Sequence, residues 1–561
     1  MIQKQSKEKP IKIIPLGGVE EIGRNMTVVE YGNDIIILDA GLEFPVEETP
    51  GIDYIIPNTK YLETHKHKIR GLVISHGHLD HIGAIPYLIE KIGSPVIYTT
   101  KLTKAMILKR QEEFPHSRTL HIDEVKTGDK IRLGQLNLRF FNISHTIPDA
   151  IGTIIETPLG NIIYPGDFKI EIDANKKPIN IEEYTKLGKE KNLVLLMEST
   201  NAEAPGFSVA EKTVHQNLEK IIKEAKGRVI TGTFSSQLER IIELIEIAGR
   251  HNRKVVIDGY SMKANVEIAS ELVIFKPRRD LIIPVERLND YPPEKILIIC
   301  TGSQGEESSA LMRIANRKHK YIKIQKDDAV ILSSSVIPGN ERSIQNLKDN
   351  LARQGAHIIH YKTAEIHASG HAYQEELKLM LKMLRPKFLI PVHGYYFMLK
   401  TNADLAESIG MPSENIAIPF NNGAVIEVTK EKIHLLKEGV TANYVMVDGL
   451  GVGDVKEIVL RDRQMLAQDG IFVIITVINS QTGKVRNSPD IISRGFIYLR
   501  ESQDLLRHTR YLIRKTIEEA TSKMHPINIT YVKELVRDRI GKFLFQKTKR
   551  RPMVLPVLLE V

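Results

Sequence analysis

Short apolar runs broken by Gly and Pro turns dominate the first 205 positions of the chain. Runs at 11–16, 27–31, 34–39, 71–75, 136–142, 151–156 and 161–164 predict β-strands. Only 82–92 and 101–113 carry a helical period in this part, so it reads as packed sheets with few helices. From 206 to 365 the rhythm changes. Helices at 208–225, 236–248, 263–272 and 340–354 alternate with apolar strands at 228–231, 255–258, 296–300 and 329–332. Such alternation implies a parallel sheet with helices on both faces, whose ligands gather at the C-terminal ends of the strands.

After 366 the chain returns to short strands and helices. Gly449, Gly451 and Gly453 mark a connector, and no strand, glycine loop and helix of the right shape surround them, which argues against a dinucleotide site. Strands at 471–477, 495–498 and 554–559 with a helix at 532–544 predict a small α+β module. The expected division is therefore 1–205 and 366–445 as two parts of one domain, 206–365 inserted between them, 446–468 as linker and 469–561 as the last module. No internal repeat or low-complexity tract interrupts this plan.

Composition narrows the chemistry. With 561 residues the chain exceeds what one core organises, and 42% hydrophobic with 26% charged residues matches folded, soluble proteins rather than disordered ones. Cys300 is the only cysteine, so an intrachain disulfide and a thiolate metal cluster are both excluded. Its place in an apolar strand suits a buried residue. Any metal must sit on His, Asp or Glu. The opening MIQKQSKEKPIKIIPLGG lacks the apolar core of a signal peptide, and no apolar run approaches the ~20 residues that span a bilayer, so a cytoplasmic location is expected. A formal charge of +9 favours a polyanionic partner.

The strongest chemical signal is His76-Gly77-His78-Leu79-Asp80-His81, directly after the apolar strand at 71–75. Four candidate ligands occupy six positions, and packing alone gives no reason to gather them in a strand-terminal loop. Imidazoles with a hard carboxylate suit Zn²⁺ or Mn²⁺. Other isolated polar residues end apolar strands: His145, Asp167 and His393, with Asp39 better cast as a carboxylate that orients a ligand imidazole.

The order Asp39, HxHxDH, His145, Asp167 resembles the metallo-β-lactamase fold, and its continuation resembles the nucleic-acid-processing β-CASP branch. Over essentially its whole length the chain is similar to bacterial ribonuclease J. Supporting phrases are Pro15-Leu16-Gly17-Gly18 with Glu21-Ile22-Gly23, Tyr164-Pro165-Gly166-Asp167-Phe168-Lys169, Glu198-Ser199-Thr200-Asn201, Thr301-Gly302-Ser303-Gln304-Gly305-Glu306, Ile337-Pro338-Gly339-Asn340-Glu341 and His367-Ala368-Ser369-Gly370-His371. The resemblance implies an α/β fold: an αββα metallo-β-lactamase sandwich, an inserted β-CASP α/β domain and a C-terminal α+β domain.

It also implies roles. His76, His78 and His145 would hold one divalent ion, Asp80, His81 and His393 a second, with Asp167 bridging, and hydroxide generated at the two ions would attack the phosphodiester. Glu198 and His371 match the β-CASP acidic and histidine motifs, His371 protonating the leaving 3′-oxygen or orienting the scissile phosphate. Thr233-Phe234-Ser235-Ser236, with His367, Ala368, Ser369, Gly370 and His371, would form the pocket for RNA phosphate. The implied activity is endonucleolytic and 5′→3′ exonucleolytic cleavage of single-stranded RNA in maturation and decay. The implied partners are a second copy or a ribonuclease J paralogue, and a wider RNA-degrading complex. Asp448 matches an accessory cation position or is a plain turn residue.

The sequence departs from the family pattern after the pocket serines, where Gln237 and Glu239 stand in place of an expected Asn and His. A carboxylate beside a phosphate pocket repels a terminal phosphate. This points to the second, less active paralogue of Gram-positive bacteria and to a weak 5′-dependent mode. A mainly structural RNA-binding subunit is the alternative, and a small-molecule hydrolase on the same scaffold is a third. The TGSQG turn at 301–305 either touches RNA phosphate or shapes its domain. Gly17 and Gly18 make a tight turn rather than a phosphate loop. Lys542, Lys547, Lys549, Arg550 and Arg551 form a solvated basic face or help RNA approach.

Overall fold

A computed structural model of the chain describes residues 9–45, 49–116, 118–173, 177–306, 308–337, 340–449, 451–453, 457–498, 502–522 and 526–561. Pro338 and Gly339 of the 337–341 phrase, and part of the 446–468 stretch, lie outside the described residues. The chain divides into two units, Met1–Phe44 with Ile55–Val445, and Pro45–Tyr54 with Met446–Val561.

In the first unit, two sheets face each other. The larger runs in the order Ile433–Leu435, Ile426–Val428, Ile11–Gly17, Met26–Tyr31, Asp34–Leu38, Ile69–Val73, Ile97–Thr99, Ile122–Glu124. Its partner runs Phe388–Val392, Asn192–Glu198, Gly160–Tyr164, Ile151–Thr157, Leu136–Asn142, Lys130–Leu133. Side chains alternate across each strand, and here both faces are covered. Val194 and Leu196 therefore point between the sheets, against Ile36, Leu38 and Val73. Leu195 and Met197 point outward, onto Leu377, Met380 and Leu384 of helix Gln374–Leu384 and Leu405 of helix Tyr396–Ser408. Burial on both sides is why these strands read in the sequence as unbroken apolar runs.

The stretch between these halves forms a five-stranded parallel sheet in the order Lys254–Asp258, Ile296–Cys300, Val229–Gly232, Ala329–Leu332, His357–His360. Helices Glu211–Glu224, Leu238–Arg250 and Tyr260–Glu271 cover one face, where Val255, Leu297 and Ile331 point. Ala310–Ala315 and Glu341–Ala352 cover the other, where Val256, Ile298 and Val330 point. The chain's exit to this insert and its return are fastened together. The buried carboxylate of Glu376 accepts from the backbone N–H groups of Ile170 (3.0 Å), Ser208 (2.9 Å) and Tyr373 (2.9 Å) and from the Ser208 hydroxyl (3.0 Å). Backbone bonds from Gln374 to Ala204 and from Glu375 to Gly206, each 3.0 Å, close the same junction.

In the second unit, strands Asp490–Arg494, Ile471–Ile478 and Met553–Glu560 form a sheet whose Phe472, Ile474 and Ile478 pack on helices Gln503–Thr521 and Ile529–Thr548. No helix among the described residues is long and apolar enough to cross a membrane.

Several elements differ from the sequence expectation. The helix expected at 82–92 is two short helices, Leu79–Ile82 and Ile85–Leu88, separated at Gly83 and Ala84, where the Ala84 N–H bonds to Ala40 O (3.0 Å) instead of within the helix, with Pro86 in the first turn of the second. Gly83 presses on its neighbours so closely that an added Cβ would lie 2.4 Å from Leu42 Cγ. The strand expected at 495–498 lies earlier, at Asp490–Arg494, because Gly495 turns into the left-handed region (φ 72°) and ends it. Helix Gln503–Thr521 was not anticipated, although Leu506, Ile513 and Ile517 mark its buried stripe. The 446–468 stretch contains a hairpin pairing Val447 with Val452 and most of helix Glu457–Asp469.

Candidate metal centre

The ligand-type side chains arrive at one edge of the sandwich because strands end there. After strand Ile69–Val73 the chain delivers Ser75, His76 and His78, and helix Leu79–Ile82 starts at once to carry Asp80 and His81. Asp167 follows strand Gly160–Tyr164 through Gly166, whose φ of 70° and a Cβ position only 2.8 Å from Ser75 Cβ require glycine. His145 follows Leu136–Asn142, and His393 follows Phe388–Val392 with its own N–H donated to Gly18 O (2.6 Å).

Three groups of donor atoms result, each within 4.8 Å: His76, His78, His145 and Asp167; Asp80, His81, Asp167 and His393; Asp167, Glu198, His371 and His393. In the first, His78 Nδ1 lies 3.0 Å from His76 Nε2 and 3.1 Å from His145 Nε2. His145 Nδ1–H donates to Gly370 O (2.7 Å), which leaves its Nε2 a bare lone pair aimed at the others. In the second, His81 Nε2 lies 3.1 Å from Asp167 and 3.4 Å from Asp80, and His393 contacts Asp167 at 2.8 Å and Asp80 at 3.6 Å. His78 Nε2 and His393 Nε2 are buried without a hydrogen-bond partner. Crowded lone pairs facing one another, with carboxylates alongside, form a nitrogen and oxygen donor set that fits a divalent cation such as Zn²⁺ or Mn²⁺.

A layer behind these atoms fixes their direction. The fully buried carboxylate of Asp39 accepts from the Ser75 N–H (2.7 Å), the Ser75 hydroxyl (2.9 Å), Tyr164 Oη (2.6 Å) and His81 Nδ1 (2.8 Å). With Nδ1 protonated and held, His81 presents Nε2 to the centre. Asn25 reaches the same spot, its Nδ2 lying 3.2 Å from His81 Nε2. Sequence reasoning found Asp39 but missed Ser75, Tyr164 and Asn25, whose side chains have no distinguishing local pattern.

Electrostatics follows the same arrangement. Burial, reinforced by neighbouring imidazoles, holds His76 and His145 well below the ordinary histidine value, and burial brings His78 to about 4. These rings are neutral and ready to ligate. Burial opposes ionisation of Asp80 and Asp167, but His81 beside the first and His393 beside the second hold both carboxyls below their usual range. His371 is the opposite case. Burial disfavours its charge, yet Glu198 at 2.7 Å and Asp167 at 3.8 Å push it up to about 9. Glu198 is itself fixed by the Phe168 N–H (3.0 Å).

The HASGH and TFSS segments are linked through a residue that the sequence did not flag. Arg240, buried on helix Leu238–Arg250, donates to both oxygens of Glu211 (2.8 Å each) and lies 3.2 Å from His367 Nδ1 and 3.4 Å from Gln237 Oε1. Gln237 in turn accepts from Thr233 Oγ1 (2.8 Å), and Ser369 Oγ accepts from Asn201 Nδ2 (2.7 Å) and the His371 N–H (3.1 Å). Gly370 backs directly onto His145: a Cβ there would sit 2.7 Å from its Cε1. Ala368 is buried, while Phe234, Ser235 and Ser236 are half-buried at the start of the helix. Glu239 is exposed on the same helix; partial desolvation, opposed by Lys169 and aided by Glu211 and Glu171, raises its carboxyl. Asp448 belongs to the second unit and is ion-paired there with Arg463. Among the described residues it joins none of the three donor groups.

Family profiles match four stretches: a beta-lactamase superfamily domain at 36–181, the beta-CASP domain of ribonuclease J at 226–351, a Zn-dependent metallo-hydrolase RNA specificity domain at 356–419 and the ribonuclease J C-terminal domain at 458–561. Over 559 residues the chain is 37% identical to Ribonuclease J2 of Bacillus subtilis (strain 168), covering 100% of both proteins. It is 38% identical to Ribonuclease J 2 of Staphylococcus aureus (strain MRSA252), covering 99% of each. Among solved structures, a protein of unknown function from Enterococcus faecalis V583 shares the fold with a TM-score of 0.53 at 19% identity, covering 75% of this chain and 100% of that one.

Two outcomes follow from these contacts. Asp39→Asn loses the acceptor that orients His81, and Zn²⁺ or Mn²⁺ affinity by calorimetry should fall about 10- to 100-fold. An unchanged affinity would remove Asp39 from the site. Burial opposes ionisation of Glu211, but Arg240 and Lys169 outweigh it and bring the carboxyl to about 2, below its ordinary 4.5. Its ionised form therefore stabilises the folded protein fully above about 4.5, and the contribution fades as pH falls toward 2. Glu211→Gln should be less stable than the parent in urea titrations at pH 7, with a gap that narrows below pH 5; a constant gap would contradict the ionic origin.

Proposed function

Because the chain belongs to the ribonuclease J family, we propose that the buried His and Asp cluster is the catalytic centre of a metal-dependent ribonuclease acting on single-stranded RNA. The carrying observation is the convergence of seven donor side chains on two adjoining sites that share Asp167. His76, His78 and His145 would hold one divalent ion and Asp80, His81 and His393 the other. Bound there, the ions would supply an activated water and neutralise charge on the attacked phosphate.

The remaining steps belong to the protein. Asp39 and Gly370 O hold the rings of His81 and His145 in the tautomers that ligate. Glu198 holds His371 by Nδ1, so its Nε2–H is free to donate a proton to the departing 3′-oxygen. Ser369, the Gly370 backbone, His367 and the 233–236 turn would seat RNA phosphate, with Arg240, paired to Glu211, fixing His367 behind them. Glu239 on the same helix opposes a terminal phosphate. The reading is therefore endonuclease activity with weak 5′→3′ exonuclease activity. The same observation favours the second reading, a subunit that binds RNA and stabilises a more active paralogue.

Assembly has its own support in the second unit. Behind the packed face of its sheet, Ile492, Leu555 and Leu559 are 40%, 48% and 50% exposed, an apolar surface suited to a second copy or to the paralogue.

One labelled RNA bearing a 5′-monophosphate, 5′-triphosphate or 5′-hydroxyl, incubated with Mn²⁺, Zn²⁺ or chelator, tests the catalytic reading. Cleavage should require metal, fall to background in the His78→Ala/Asp80→Ala double variant, and gain monophosphate dependence in Gln237→Asn/Glu239→His. Undiminished cleavage by the double variant would sink the ligand assignment, and absence of cleavage despite bound metal and RNA would favour the subunit reading. By light scattering, Leu555→Lys/Leu559→Lys should shift the protein toward monomer; an unaltered mass would place assembly elsewhere.

A further inference from the structure

Exposed aromatic rings gather beside the metal centre, in a chain with no tryptophan and only 6% aromatic residues. Tyr395, Tyr396 and Phe397 are 41%, 49% and 49% exposed. Only Gly394 stands between them and His393, so the backbone from the His393 Cα to the Tyr395 Cα spans at most about 7 Å. The rings of Tyr395 and Phe397 are parallel to within 6°, with centroids 6.1 Å apart.

The 18–25 loop ties this pair to further rings and to the His and Asp cluster. Gly394 bridges to Val19 and Glu21 on that loop. Asn422 clamps the loop by accepting from the Val19 N–H and donating to Val19 O, both at 3.1 Å, two positions after the exposed Phe420. The Arg24 guanidinium carbon lies 5.7 Å from the centre of the Tyr444 ring, which is 52% exposed. Next to it, Asn25 touches His81.

Resting on the ribonuclease reading, we propose that Tyr395 and Phe397, with Tyr444 beside the same loop, form a stacking platform for unpaired RNA bases at the edge of the metal centre. Burial does not explain rings this exposed. Bases stack on aromatic faces with little regard to sequence, because each base has a π-face, and a duplex does not offer its bases in this way. The platform would select single strands and hold the backbone in register with the ligands. Its continuity with the metal centre favours nucleic acid over a protein partner as the occupant.

The test compares binding of a labelled oligouridylate with an abasic ribose-phosphate chain of equal length and charge, in chelator so that neither strand is cut. The parent protein should prefer the base-bearing strand by about tenfold or more. Tyr395→Leu/Phe397→Leu, which keeps apolar bulk without a π-face, should nearly erase that preference, and the exchange Tyr395→Phe/Phe397→Tyr should retain it. Equal binding of the two strands by the parent, or an undiminished preference in the leucine variant, would overturn the platform. Cleavage in the metal assay without such a preference removes the platform alone. If the parent neither cleaves nor binds either strand, the ribonuclease reading fails with it.

Discussion

The carboxylate of Asp39, removed from water and bonded on every side, is the interaction on which the site depends. Its partners come from separate elements: Ser75 after one strand of the larger sheet, His81 on the following helix, and Tyr164 at the end of a strand in the facing sheet. A buried carboxylate lacking such partners would cost several kcal/mol. With them it joins the two sheets at their common edge and fixes the direction of the His81 ring. The sheets could pack by apolar contacts alone; their registration at the site is a polar matter.

The residues of the donor cluster are legible in the sequence through the HxHxDH run after an apolar strand and through His145, Asp167 and His393, isolated polar residues just past the ends of other apolar strands. Glu198 and His371 were legible only through the resemblance, and they meet at 2.7 Å although 172 residues separate them. Arg240 was not legible at all. It sits at a helical position whose neighbours Leu238, Ile241 and Leu244 are core residues, and nothing local distinguishes a buried arginine from a solvated one. Its meaning depends on Glu211 and His367, which only the folded chain brings to it.

The architecture was read from rhythm: alternating helices and strands gave the parallel sheet of the insert, and long apolar runs gave the doubly covered strands. Errors fell where glycine and proline act through geometry rather than pattern. Pro86, with no N–H to give to Ile82, separates one expected helix into two, and Gly495 ends a strand earlier than its apolar continuation suggests. The exposed rings at 395–397 are not legible in the sequence for a related reason: aromatic residues just past a strand end carry the same pattern whether they are buried or exposed.

Glu376 gives the insert an unusual mechanical relation to the rest. The outgoing chain at Ser208 and the returning chain at Tyr373 are gripped by one carboxylate, itself anchored to Ile170 a few positions beyond Asp167. The two crossings therefore behave as a single stem. Beyond this joint the insert is braced directly against the sandwich, by Glu211 on Lys169 at 3.2 Å and by Leu102 and Ile147 packed among its helices, so the lobe is held over the His and Asp cluster as a buttress rather than hung from a hinge.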